Sequence, residues 1–199
     1  MRTIPPRRPP LPAYGFFGGS FDPIQKGHIA LAQAALRERK LARVYLVPAA
    51  QSPLKNDRPR ASLKERASLI RKAIRGKSGL SLGRWEMDRP GPSFTFRTLR
   101  QLRHQYPRRR WELIMGEDSW AHFHRWRRWR EIAEHHRVII GKRTGPQRAI
   151  VRGEAVYLKT ALPTVSSTDV RRAMSQGRNV SRWLDPAVAQ TINKKGLYL

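Results

Sequence analysis

Apolar and polar positions fall along the chain in two alternating kinds of block, short continuous apolar runs and longer stretches with helical spacing. The first run, Ala13 and Tyr14 through Phe17, predicts a short buried strand. Gly18 and Gly19 let the backbone turn after it, and Asp22-Pro23 stiffens the exit. From Gly27 onward, Ile29, Leu31, Ala32, Ala34, Ala35 and Leu36 predict a strong helix ending in Arg37-Glu38-Arg39-Lys40. Arg43 to Val47 reads as a second buried strand, closed by Pro48. Ser62 and Glu65 form a capping box for a helix with Leu63, Ala67, Ile70 and Ile74 on its apolar face. A third strand is expected from Leu80 toward Glu86, and a helix capped by Ser93 runs through Leu99 to Tyr106, stopped at Pro107. Trp111–Met115, Arg137–Ile140 and Val156–Leu158 predict three further strands. Ser167 opens a helix through Met174, and Asp185-Pro186 starts the last one, Asp as cap and Pro in the first turn.

Strand and helix alternate throughout, which predicts an α/β fold: a doubly wound parallel sheet of five to six strands, helices on both faces, and a C-terminal helical segment. In such sheets ligands sit beyond the carboxyl ends of the strands. Residues 1–12 are too rich in proline for helix or sheet and predict an extended tail ahead of a single domain at 13–199. The 199 residues include no cysteine, which removes disulfides, thiolate zinc sites and a cysteine nucleophile, and fits a reducing cytoplasm. No apolar run reaches membrane-spanning length, so no membrane partner is expected. The formal charge of +27 points to phosphate-rich small substrates or to nucleic acid, and composition alone does not choose between them.

The glycine turn between strand and helix chooses further. It aims backbone N–H groups and the positive end of a helix dipole at one point, which suits a phosphate, and His28 in the first helical turn faces the same place. Other stretches carry weaker signals. Lys55 puts a cation in the loop after the second strand, and Asp118 follows a strand at the sheet's carboxyl edge, where a carboxylate accepts from ribose hydroxyls. Trp126 and Trp129, three apart among arginines, are expected on one helix face; this interleaving also describes a single-strand nucleic-acid platform. No pattern of aromatics on adjacent strands accompanies it, so specific nucleic-acid recognition is not expected. His122, His124, His135 and His136 lack added carboxylate or thiol ligands and read as structural or exposed, and Arg108-Arg109-Arg110 as solvated surface.

Gly19-Ser20-Phe21-Asp22-Pro23, with Gly27 and His28, resembles the G-[ST]-F-D-P-x-H-x-G-H loop of a nucleotidyltransferase superfamily of Rossmann-like fold, with Gln25 in place of the first histidine. Four more segments resemble one branch, the bacterial nicotinate-nucleotide adenylyltransferases: Val47 to Lys55, Arg89 to Leu99, Gly116-Glu117-Asp118-Ser119 with Phe123 to Ile132, and Val165 to Arg171. The resemblance implies AMP transfer from ATP to nicotinate mononucleotide, with Mg²⁺ carried by ATP and no tightly bound cofactor. It implies His28 and Gln25 as the catalytic pair, with a slowed reaction because Gln25 brings no charge. It assigns ATP to Gly18, Gly19, Ser20, Phe21, Asp118, Ser166, Ser167, Thr168 and Arg171, and the acceptor to Lys55, Phe94, Thr95 and Trp126. Trp126 would stack on the pyridine ring, while Trp129 is read as core. The alternatives are a related enzyme acting on nicotinamide mononucleotide or phosphopantetheine, and a catalytically weak RNA-binding relative. The number of copies in an assembly is left open.

Overall fold

The computed structural model describes residues 10–53, 58–89, 91–142 and 155–198. Six strands form one sheet: β1 Ala13–Gly19, β2 Arg43–Pro48, β3 Leu80–Leu82, β4 Arg110–Gly116, β5 Val138–Gly141 and β6 Ala155–Tyr157. Every neighbouring pair is parallel, in the order β3-β2-β1-β4-β5-β6. Parallel neighbours need crossovers, which helices supply for the four connections from β1 to β5: α1 Lys26–Glu38, α2 Leu63–Ala73, α3 Thr95–Gln105, α4 Glu117–Ala121 and α5 Trp129–His135. Two more, α6 Ser167–Ser175 and α7 Pro186–Lys195, follow the sheet. The winding reverses direction between β1 and β4, so a crevice opens beyond their carboxyl ends, at Gly19 and Gly116.

Strand side chains alternate between two apolar layers, which places helices on both faces as the sequence pattern predicts. Phe17 and Ile114 join Ala32, Ile70, Val170 and Ile192 from α1, α2, α6 and α7. Phe16, Leu113 and Met115 join Leu99, Trp120 and Ile132 from α3, α4 and α5 on the other face. Burying each such Leu, Ile or Phe contributes about 1.5–3 kcal/mol of transfer free energy. The first layer is packed to the backbone at Gly15, where a Cβ would stand 2.6 Å from Ile114 Cδ1. Among the described residues no helix is long and apolar enough to cross a membrane.

Four local expectations are corrected. β3 stops at Leu82, and Trp85–Asp88 turns instead of continuing the strand. Ser93 does not cap α3: Phe94 holds the cap position with no side-chain bond, while Ser93 Oγ accepts from the Ala50 N–H at 2.9 Å. Trp126 and Trp129 do not share a helix. A 3-10 turn, Phe123–Arg125, ends at extended Trp126, and Arg128 is left-handed at φ +56° before α5 begins. Arg109 is not simply solvated, since its guanidinium carbon lies 4.7 Å from the Tyr14 ring centroid and 4.4 Å from that of Tyr106. Of the expected tail, residues 10–12 carry neither helix nor strand and residues 1–9 lie outside the described residues.

Candidate active site

The loop after β1 is held in a conformation that an ordinary residue resists. Phe21 is left-handed, φ +48°, a region costly for a bulky side chain. Its ring is buried and stands edge-on to Phe17 at 5.4 Å and to His28 at 5.1 Å, so packing holds the backbone there. Asp22 fastens the next residue inward. Its carboxylate accepts from the Arg60 N–H at 2.8 Å, the Ala61 N–H at 3.1 Å and the Tyr198 O–H at 2.7 Å. Burial and the bond to Asp22 push the Tyr198 pKa up, so the phenol stays a donor.

Arg66 closes the loop from below. It is 1% exposed, and its guanidinium donates to the carbonyls of Ala61 at 3.1 Å, Ser20 at 2.8 Å, Ala49 at 2.7 Å and Ala50 at 3.3 Å. One side chain of α2 thus ties the loop after β1 to the loop after β2. Burial pulls its pKa down, and the nearby Asp22 charge opposes that.

At the start of α1, Gln25 and His28 cap each other. The Gly27 N–H donates to Gln25 Oε1 at 2.5 Å, and the Gln25 N–H donates to His28 Nδ1 at 3.2 Å. Nδ1 is therefore the acceptor, and the proton of the neutral ring sits on Nε2. Gly27 leaves room for this cap, since a Cβ would meet Gln25 Oε1 at 2.6 Å and displace the amide. The Gln25 side chain also reaches the second nucleotide segment. It is 2% exposed, and its Nε2 donates to the Val165 carbonyl at 2.7 Å. Lys26 points elsewhere, its Nζ donating to the Ser181 carbonyl at 2.9 Å.

The Val165 bond reaches the second predicted nucleotide segment, and two others follow it. Ser167 Oγ donates to the Pro23 carbonyl at 3.0 Å, and Arg171 Nη1 donates to the Asp22 carbonyl at 2.7 Å while lying 3.8 Å from the Asp22 carboxylate. The start of α6 is thereby docked against the start of α1. Ser166 itself is consumed as the α6 cap, bonded at both ends to Asp169, and Thr168 Oγ1 accepts from Arg171 Nη2 at 3.3 Å.

Of the other predicted residues, those described sit at the starts and ends of elements. Gly18 and Gly19 end β1, and Asp118 sits exposed in the first turn of α4, beyond the carboxyl end of β4. Phe94 and Thr95 form the start of α3, tied back by Ser93, whose N–H donates to the Gln51 carbonyl at 2.9 Å. Behind them Glu86 is buried and accepts from Thr98 Oγ1 at 2.8 Å; burial pushes its pKa up against the pull of its hydrogen bonds. Trp126 and Trp129 are both half-buried on Phe123, at 5.5 and 6.2 Å, so packing does not separate their roles. Lys55 lies outside the described residues. Sequence reasoning missed Arg66 and Tyr198. The first had a signal, an arginine between Leu63 and Ile70 on the apolar face of α2; the second, a terminal tyrosine, had none.

Among the described residues no group of three or more His, Asp or Glu could hold a metal ion. His122, His124 and His135 are exposed, whereas His136 is buried with Nδ1 2.9 Å from the Trp111 carbonyl.

Comparison with known proteins agrees with this fold. A family model described as cytidylyltransferase-like matches residues 16–173. A probable nicotinate-nucleotide adenylyltransferase of Gloeobacter violaceus is 37% identical over 197 residues, covering 92% of this chain and 95% of that one. One from Thermus thermophilus is 35% identical over 184 residues, covering 92% and 98%. In fold, the chain resembles a Plasmodium falciparum nicotinic acid mononucleotide adenylyltransferase complexed with NaAD, with TM-score 0.79, 17% identity, and 94% and 97% of the two chains covered. Six parallel strands, a glycine loop locked against a distant helix start, and relatives matched over nearly their whole length place this chain in the nicotinate-nucleotide adenylyltransferase family of the cytidylyltransferase-like proteins.

Proposed function

We propose that the chain transfers AMP from ATP to nicotinate mononucleotide, giving nicotinate adenine dinucleotide and pyrophosphate. The 5′-phosphate of the mononucleotide attacks the α-phosphorus of ATP; the bond to the β-phosphate oxygen breaks, and pyrophosphate leaves. The attacking group is already an anion, so no general base is needed, and catalysis reduces to alignment and to stabilising charge on the α-phosphate.

The observation that carries this reading is the docking of the two helix starts by bonds spanning 140, 144 and 149 residues of sequence. Such a pairing sets the N-terminus of α6 and the Arg171 guanidinium beside the loop after β1, surroundings that suit a triphosphate. In this reading His28 donates from Nε2 to the α-phosphate, and Gly18 to Phe21 line the phosphate chain by their backbone. Ser167, Thr168 and Arg171 take the terminal phosphates, and Asp118 takes the ribose. Gln25 positions His28 and the second segment instead of touching phosphate. The start of α3 at Phe94 and Thr95 receives the nicotinate carboxylate, Trp126 covers the pyridine ring, and Lys55 meets the acceptor phosphate.

Mg²⁺ enters with ATP as part of the substrate. The Asp22 carboxylate, the acid of the loop, is engaged by three donors and one guanidinium, an arrangement that leaves the metal to the phosphates. The ion supplies charge neutralisation on the triphosphate.

The test is a comparison of kcat/KM for nicotinate mononucleotide, its amide and phosphopantetheine, each with ATP. Nicotinate mononucleotide is expected to lead by at least about 1.4 kcal/mol in transition-state binding, a factor of ten. A preference for either of the others would overturn the acceptor assignment.

A further inference from the structure

Outside the crevice, an open groove of about 660 Å³ lies between the outer face of α3 and the segment before α5. Phe96 forms its floor, and Arg97, Arg100, Arg103, Arg127 and Arg128, all exposed, form its walls. The guanidinium carbons of Arg97 and Arg127 each lie 5.2 Å from the Phe94 ring centroid, and that of Arg128 lies 5.4 Å from the Phe96 centroid. Like charges are thus crowded onto two rings. Glu131 is the acid among them; the Arg128 hydrogen bond, at 3.1 Å, holds its carboxyl below the usual range despite some burial, and Arg100 and Arg103 add to the effect. One carboxylate against five guanidiniums leaves a concentrated positive strip, and the proposed reading gives Arg100 and Arg103 no part in adenylyl transfer.

We propose that this groove binds the sugar–phosphate backbone of a single strand of nucleic acid, without sequence preference. Arginine presents paired N–H donors that match phosphate oxygens, whereas lysine offers only a point charge. Arg97, Arg100 and Arg103 recur every three residues of α3, a rise of about 4.5 Å each, so the donors form a row instead of a point. A small anion is held in an enclosed pocket with few polar groups. Here every wall arginine is exposed, which suits an extended polyanion lying along the surface.

The experiment measures fluorescence anisotropy of a labelled single-stranded RNA of about a dozen nucleotides between about 50 and 200 mM salt, with the whole chain. The comparison is between Arg100→Glu with Arg103→Glu in the groove and Arg71→Glu with Lys72→Glu on the exposed face of α2. The groove variant is expected to weaken binding at least about tenfold and to lower the salt slope by about 1.4, the share of two phosphate contacts on a single strand. The α2 variant should change affinity by less than about twofold, as expected when the lost charges make no phosphate contact. Pyrophosphate release from ATP and nicotinate mononucleotide should be unchanged in both.

Equal losses in the two variants would mean that net charge alone attracts the strand, and would overturn the proposal. So would displacement of RNA by ATP, which would put the strand in the nucleotide crevice, or equally tight binding of duplex RNA or inorganic polyphosphate of the same charge. If the groove variant also loses turnover, Arg100→Gln with Arg103→Gln decides. Loss of RNA binding with turnover intact supports the groove, and joint loss assigns these arginines to the fold or the acceptor site and overturns it.

Discussion

His28 serves the site through two nitrogens. Nδ1 accepts from the Gln25 N–H and secures the first turn of α1, and in the proposed reading Nε2 carries the donor proton. Asn can reproduce the first role and not the second. His28→Asn should therefore keep its unfolding free energy within about 0.5 kcal/mol and lose about 10²-fold in kcat, the order expected for one oxyanion donor. Urea unfolding and steady-state turnover measure the two. Gln25 gives the complementary case. Gln25→Glu keeps an acceptor for the Gly27 N–H but turns an oxygen toward the Val165 carbonyl. A loss of about 1–3 kcal/mol in stability is expected, the cost of an unsatisfied buried polar pair, together with a raised KM for ATP. An unchanged variant would remove Gln25 from the link between the two segments. The sequence made His28, the glycines and Arg171 legible because motif spacing encodes them. It left the direction of the Gln25 amide unread, since its partner lies 140 residues away.

Elements were legible wherever local chemistry decides. The capping box at Ser62 and the cap at Asp185 are present, because both use bonds within three residues. Ser93 failed as a cap because a tertiary partner, the Ala50 N–H, competes for the same oxygen. The tryptophan block failed as one helix because Arg128 adopts a left-handed backbone that periodicity does not register. Arg66 was read over for a related reason: its partners are four carbonyls on three separate stretches of chain. Arg66→Lys cannot reproduce that fork and should cost about 3 kcal/mol or more, read as a lower urea midpoint with unchanged slope. α5 brings a pH term. His136 is buried with its pKa lowered by that burial, so the folded state binds fewer protons than the unfolded chain below about pH 6.5. Stability should be full above that pH and fall as pH drops through it. His136→Gln should flatten that part of the profile, as followed by thermal unfolding.

At the scale of the whole molecule, the fold class was fully legible, since alternating strands and helices leave few ways to wind a parallel sheet. The closure of the site was not. Asp22 is held from far along the chain, with Tyr198 on its carboxylate and Arg171 of α6 on its carbonyl, so the loop after β1 is fixed only when these segments dock. Tyr198→Phe should cost about 1.5–3 kcal/mol, the range for a hydrogen bond to a charged group, and should raise KM for ATP more than it lowers kcat. Activity falls in proportion to folded protein alone if the contact is merely structural. The central claim is that residues near 20 and near 168 build one cradle that moves AMP from ATP to an acceptor phosphate. Its most direct test mixes the protein with ATP, Mg²⁺ and nicotinate mononucleotide and counts pyrophosphate against dinucleotide formed. Equal amounts of the two, falling about 10²-fold in His28→Asn, are the predicted result; no pyrophosphate from the intact chain with this acceptor would contradict it.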